Sequence, residues 1–207
     1  MPQVVQQPAD LAPSPSRIRW TRALIENLEK AGIQPSHRYE LIQGELIRTS
    51  GQTPPVAYAE NRLIHWLMDH FAAGEALFHV GIDMEVPDKE FTLPEVDGVI
   101  FKRGLESFSA NYPSSDEVEM IIEVAGDTLD FDLSTKARLY AQAGIVEYWV
   151  VDVMGRALVV HRIPADEQYQ NVIRYQADET VALYARPETQ IVVSQLLPPV
   201  AASDEKG

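Results

Sequence analysis

The 207-residue chain has no cysteine. That absence excludes disulfides, zinc–thiolate sites and thiol nucleophiles together. It also fits a reducing cytosol, so a cytoplasmic location is expected. No stretch approaches the roughly 18 consecutive apolar residues that suggest a membrane span, and no membrane partner is expected. Residues 1–16 contain neither a basic residue nor an apolar block, so they are not expected to be a secretory signal. Basic residues are scarce: 17 Lys and Arg stand against 31 Asp and Glu, a formal net charge of −14 at pH 7. This argues against broad electrostatic capture of nucleic acid, while leaving open a single local groove. Neither a phosphate-cradling glycine motif nor a serine nucleophile elbow occurs.

What remains is an ordinary globular composition, 45% hydrophobic and 23% charged, sufficient for a sizeable core. The length suits one domain, expected over residues 18–197. The Pro-, Gln- and Ser-containing segment 1–17 and the tail 198–207 are expected to be disordered. There is no internal repeat.

Helical spacing covers about residues 20–31, with Leu24, Ile25 and Leu28 on one side and Gly32 and Pro35 stopping it. Two short runs flank Gln43-Gly44 and predict a hairpin starting near Arg38. A second helix is expected over about 57–73, with Leu63, Ile64, Leu67, Met68 and Phe71 as its apolar stripe. Strands follow at about 77–86, 94–101 and 118–124, then a helix over 127–143 with Gly144 just past its end. Two strands at 146–151 and 157–163 are joined near Met154-Gly155, and two more are expected near Val172 and Val181. The pattern predicts a mixed sheet with helices packed against it, an α/β (α+β) fold.

Three residues stand out against this pattern. Glu123 lies in the apolar run Glu119-Met-Ile-Ile-Glu-Val, typical of a central strand. Alternation puts it on one face with Ile121, while Met120, Ile122 and Val124 face the other way. A carboxylate buried there needs a cation, a metal or a proton, because desolvating an unpaired ion costs several kcal/mol. Asp97 sits in Glu95-Val-Asp-Gly-Val-Ile-Phe, on a face with Val99 and Phe101. It reads either as a strand-end cap or as a partner of Glu123.

Lys136 lies three residues after Leu133 and four before Tyr140, which places it on or beside the helix face that packs on the sheet. A snorkelling lysine or a simple one-turn pair with Asp132 would account for it in isolation. In combination, two carboxylates on adjacent strands can hold Mg²⁺, which prefers oxygen ligands and keeps several waters. Such a cation acidifies water and stabilises charge on a phosphate, and a nearby lysine can orient the water or offset developing charge.

Ile121-Ile-Glu-Val, Lys136 and the block from Tyr140 to Asp152 resemble the Uma-two family, restriction-endonuclease-like proteins of the PD-(D/E)XK superfamily. Tyr39-Glu-Leu-Ile-Gln-Gly-Glu-Leu resembles that family's opening hairpin, and Pro94-Glu-Val-Asp97 its Pro-Asp strand. The likeness spans about residues 38–162. It implies an αβββαβ nuclease core, Asp97 and Glu123 as ligands of Mg²⁺ or Mn²⁺, Lys136 as the catalytic lysine and DNA as substrate. Across the superfamily the lysine usually follows the Glu by two residues; that position here is Ala125, and a lysine displaced to the following helix is the family's usual variant. Glu40 matches a recurrent family glutamate and would support either the metal or the hairpin. Two departures are Val96 in place of Pro before Asp97, and Val56, Ala57 and Tyr58 where a His often precedes the second helix.

Other candidates have plainer readings. Glu60, placed in the first turn of the second helix, complements the helix dipole or adds a carboxylate to the site. His37, His65, His70, His79 and His161 show no metal-ligand spacing and read as structural or surface residues. Tyr148 and Trp149 read as core. Asp127, Asp130 and Asp132 read as a helix start. Arg38, Arg48, Arg62, Lys102 and Arg103 could supply local phosphate contacts. The expected activity is Mg²⁺-dependent DNA hydrolysis, with a homodimer as one assembly the sequence leaves open. The alternatives are a nuclease-fold module that binds nucleic acid or a protein without efficient catalysis, and an interaction domain with a dry buried salt bridge.

Overall fold

The computed structural model describes residues 18–33, 39–48, 53–104 and 111–200. Of the segments expected to be disordered, 1–17 and residues 201–207 of the tail 198–207 lie outside the described residues, as do Arg38 and His37, while residues 198–200 are described and the Pro198 carbonyl accepts from Arg156.

Strands β3 (Ala76–Gly81), β4 (Glu95–Phe101), β5 (Val118–Ala125), β6 (Glu147–Asp152), β7 (Ala157–Ala165) and β8 (Gln168–Gln176) form one sheet in that spatial order. Only β5 and β6 run parallel; every other neighbouring pair is antiparallel. A parallel pair needs a crossover, which is the helical stretch 129–142 between them. The hairpin β1 (Tyr39–Ile42) and β2 (Glu45–Arg48) and the pair β9 (Thr180–Ala182) and β10 (Gln190–Val192) form two small sheets. Gln43 (φ +51°) and Gly44 (φ +86°) make the first hairpin's turn, as the two-residue connection requires.

Alternation sorts the sheet's side chains into two cores. On one face, Met120, Ile122, Val124 and Trp149 pack against Val56, Leu63 and Leu67 of helix α2 (Pro54–His70). On the other, Val99, Ile121, Tyr148 and Val150 pack against Ala137, Tyr140 and Ala141 of the crossover helix and Ile42 of the hairpin. The chain order α2, β3, β4, β5, crossover helix, β6 is the expected αβββαβ arrangement.

Several expected bounds shift for physical reasons. Helix α2 begins at Pro54, with proline in its first turn, where its missing N–H costs nothing. Glu60 is therefore beyond the first turn and buried, not a dipole-complementing residue at the start. Trp66 joins the buried stripe while Met68 is exposed, because the stripe leans toward Ala59 and Leu63. Helix α1 (Arg22–Lys30) buries no residue, and Leu24 is exposed. Strand β3 ends at Gly81: Ile82, Met84 and Val86 keep a strand-like alternation of burial, but beyond Gly81 pairing continues only as a single bridge from Asp83 to Ser114. The crossover helix consists of α3 (Leu129–Phe131), a π-helical segment Asp132–Lys136 and α4 (Ala137–Gln142).

Among the described residues no helix is long and apolar enough to cross a membrane.

Candidate active site

The β4–β5 ladder pairs Gly98 with Ile122 and Val99 with Ile121. Continued by one residue, that register sets Asp97 across from Glu123. The Val124 N–H donates to Asp97 Oδ2 at 2.8 Å, so the carboxylate is tied to the strand that carries Glu123. Asp97 keeps 23% of its side chain exposed; Glu123 keeps 4%.

The π segment brings Lys136 beneath this face. Its extra residue per turn closes the Ala137 N–H onto the Asp132 carbonyl, and π turns recur at functional sites. Lys136 Nζ lies 3.0 Å from Glu123 Oε1, 3.1 Å from Glu40 Oε2 and 3.8 Å from Asp132 Oδ1. Tyr140, one turn further on, donates its hydroxyl to the same Glu123 oxygen at 2.7 Å. Asp132 Oδ2 accepts from Thr128 Oγ1 at 2.7 Å, and its carbonyl accepts from the Tyr148 hydroxyl. Glu40 arrives from the β1–β2 hairpin; its Oε2 faces the ammonium without a well-directed hydrogen bond.

One lysine thus serves several buried carboxylates, and their acidities record the deficit. Burial pushes Glu123 up to about 8; Lys136 opposes this, while Asp97 and Glu40 add to it. Burial raises Asp132 to about 7, helped by Glu123 and opposed by Lys136. Asp97 rises to about 6 through burial, moderated by the Val124 N–H and Lys136 and reinforced by Glu60 and Asp132. Glu40 is also raised, again by burial. Burial disfavours the Lys136 charge, but Glu123, Glu40, Asp132 and Asp97 outweigh it and hold the ammonium well above its ordinary range.

These donors fit a divalent cation. They are hard oxygens, and they carry more negative charge than Lys136, which Glu123, Glu40 and Asp132 share, can offset. Among the described residues no group of three His, Asp or Glu side chains is arranged so that it could hold a metal ion. One or two carboxylates plus water suffice for Mg²⁺.

Asp97, Glu123, Lys136 and Glu40, each singled out in the sequence, are therefore together. Asp132 and Tyr140 join them, although the sequence reads Asp132 as a helix start or one-turn pair and Tyr140 only as part of the helix's apolar face. The signal was present, because a buried tyrosine hydroxyl seeks a partner and Tyr140 shares a face with Lys136. Ala125, two residues after Glu123, is fully buried. His161 is buried and held near 4 by desolvation, consistent with its structural reading. Arg62 donates to the Gln195 carbonyl and Lys102 to the Asp116 carbonyl.

The fold is similar to that of a solved structure from Anabaena variabilis ATCC 29413 described as a "putative nuclease belonging to DUF820": TM-score 0.62, 14% identity, covering 82% of this chain and 96% of that one. The chain belongs to the Uma2 (Uma-two) family, described as "Putative restriction endonuclease", whose family model matches residues 24–194. No curated protein matches the sequence.

Proposed function

We propose that this chain is a divalent-metal-dependent endonuclease that hydrolyses DNA phosphodiester bonds, with Mg²⁺ as the cation and Mn²⁺ as a substitute. The observation that carries the reading is Lys136 Nζ at 3.0 Å from Glu123 Oε1, on the sheet face that also presents Asp97.

Asp97 and Glu123 would hold the cation, with Glu40 as a supporting carboxylate. When bound, the cation supplies positive charge to the phosphate and makes a nearby water more acidic. Lys136 is fixed by three carboxylates and donates only; its role is to orient the attacking water and to offset charge that develops on the phosphate. Tyr140 holds Glu123 in place. Cutting both strands of a duplex calls for two such sites, which a homodimer would provide, and the cysteine-free composition suits a cytoplasmic setting.

Cleavage of plasmid and linear DNA with Mg²⁺ or Mn²⁺, run beside Lys136→Ala, tests the proposal. Metal-dependent nicking by the parent protein that vanishes in the variant supports it.

A second reading is a nuclease-fold module that binds nucleic acid or a protein partner without efficient catalysis. It is favoured by the net charge of −14 and by the closure of Lys136 into its carboxylates. A folded protein that cuts no DNA, and whose melting temperature does not respond to Mg²⁺ or Mn²⁺, would fit this reading and not the first.

A further inference from the structure

Thr128, Asp132, Lys136 and Tyr140 recur at every fourth residue. Lys136 and Tyr140 both reach Glu123. The part played by the other two follows from a gap. Asp132 Oδ1 stops 3.8 Å from Lys136 Nζ, whereas Glu123 Oε1 and Glu40 Oε2 stand at 3.0 and 3.1 Å.

The difference has a chemical meaning. An ammonium carries three N–H donors, and Glu123 and Glu40 are close enough to take up one each. At 3.8 Å no hydrogen bond forms. Coulomb attraction falls only as the inverse of distance, so roughly four-fifths of the pull exerted at the shorter separation survives. Asp132 therefore attracts the charge without consuming the third donor.

Asp132 is itself held where it stands. Its Oδ2 accepts from Thr128 Oγ1 at 2.7 Å, which ties the carboxylate back toward the start of the crossover helix. Its carbonyl accepts from the Tyr148 hydroxyl of β6 and from the Ala137 N–H that closes the π turn. The side chain is 4% exposed, so water screens the pair little.

We propose that Asp132, restrained by Thr128, is a positioning residue for Lys136: it stabilises and aims the ammonium while leaving one N–H to donate to the attacking water or to the phosphate. A carboxylate released to close the gap would take that donor for itself. The inference rests on the reading of Lys136 as the group that orients the water.

Two measurements on the full chain at pH 8.5, above the value of about 7 to which burial raises Asp132, test it. In urea unfolding, Asp132→Asn should be more unfavourable to stability in the parent than in Lys136→Met, because only the parent has the attraction to lose. In DNA cleavage with Mg²⁺, Asp132→Asn, which removes the charge, and Thr128→Val, which frees the carboxylate, should each lower kcat by up to about a hundredfold with KM unchanged. Additive stabilities, or a parental kcat in Asp132→Asn, overturn the positioning role and leave the nuclease reading intact. A parental kcat in Thr128→Val overturns the restraint. Folded parent protein that cuts no DNA overturns the nuclease reading, and the positioning role with it.

Discussion

Tyr140 donates its hydroxyl to Glu123 Oε1 at 2.7 Å, the same oxygen that Lys136 reaches at 3.0 Å. Two consecutive turns of one helix therefore converge on a single carboxylate atom. Tyr140→Phe removes one of these donors and leaves the ion pair. Losing a buried hydrogen bond to a charged group should cost about 1.5–3 kcal/mol, read as a lower urea midpoint. Because the hydroxyl helps keep Glu123 ionised, the Glu123 pKa should rise further, and the acid limb of any cleavage profile should move to higher pH. An unchanged midpoint and profile would show that the contact contributes nothing.

Lys136→Met keeps much of the volume and deletes the charge. It should abolish metal-dependent cleavage. It should also destabilise the fold, by up to about 3–5 kcal/mol where Glu123 stays ionised, and by less at lower pH where the carboxyl groups take protons instead. Stability measured at pH 5 and pH 8.5 checks this. A loss equal at both values would contradict the proposed charge balance.

The pH dependence of the metal-free protein has a definite sign. Asp97, Asp132 and Glu123 are raised to about 6, 7 and 8, above their unfolded values near 4. The folded state then binds more protons than the unfolded state between about pH 4 and 8, so stability falls as pH rises through that window. Melting temperatures in EDTA should decline from pH 4.5 to 8.5, over and above other titrations. Excess Mg²⁺ should recover most at the alkaline end, where the carboxylates are ionised. A Mg²⁺ gain that is largest at pH 5 would sink this account.

Glu40→Gln separates the two roles open to Glu40. The amide removes the charge of the carboxylate that stands 3.1 Å from Lys136 Nζ and leaves Glu123 and Asp132 to hold the ammonium. Because two carboxylates still hold the ammonium, the unfolding free energy from urea titration should fall by only about 1 kcal/mol, while Mg²⁺ affinity should fall if the side chain supports the cation. A large stability loss with unchanged affinity would assign Glu40 to the hairpin alone.

Much of the site is legible in the sequence, because two periodicities carry it. Period-two alternation puts Glu123 with Ile121 and Asp97 with Val99 on one sheet face, and helical spacing turns Lys136 toward that face. Two contributions are only half visible there: spacing of four puts Asp132 and Tyr140 on the Lys136 side of the helix, but does not reveal that Tyr140 donates to Glu123 or that the stretch Asp132–Lys136 is a π turn. The burial of Glu60 follows from where α2 begins, and a three-residue shift of that start moves it from the first turn to the helix interior. The end of β3 is misread for a related reason: Ile82, Met84 and Val86 alternate like a strand but lie against the core as single residues.

The β5–helix–β6 crossover has a kinetic consequence. Glu123, Asp132, Lys136 and Tyr140 all lie within residues 118–152, and the central ion pair joins positions only thirteen residues apart. Closing a loop of that length costs little chain entropy compared with recruiting Asp97 or Glu40 from earlier strands. The unit that buries the lysine can therefore assemble as a local nucleus, with the β4 aspartate and the hairpin glutamate docking afterwards. Substitutions such as Ile121→Val or Ala141→Gly should then slow folding more than comparable changes in the β1–β2 hairpin.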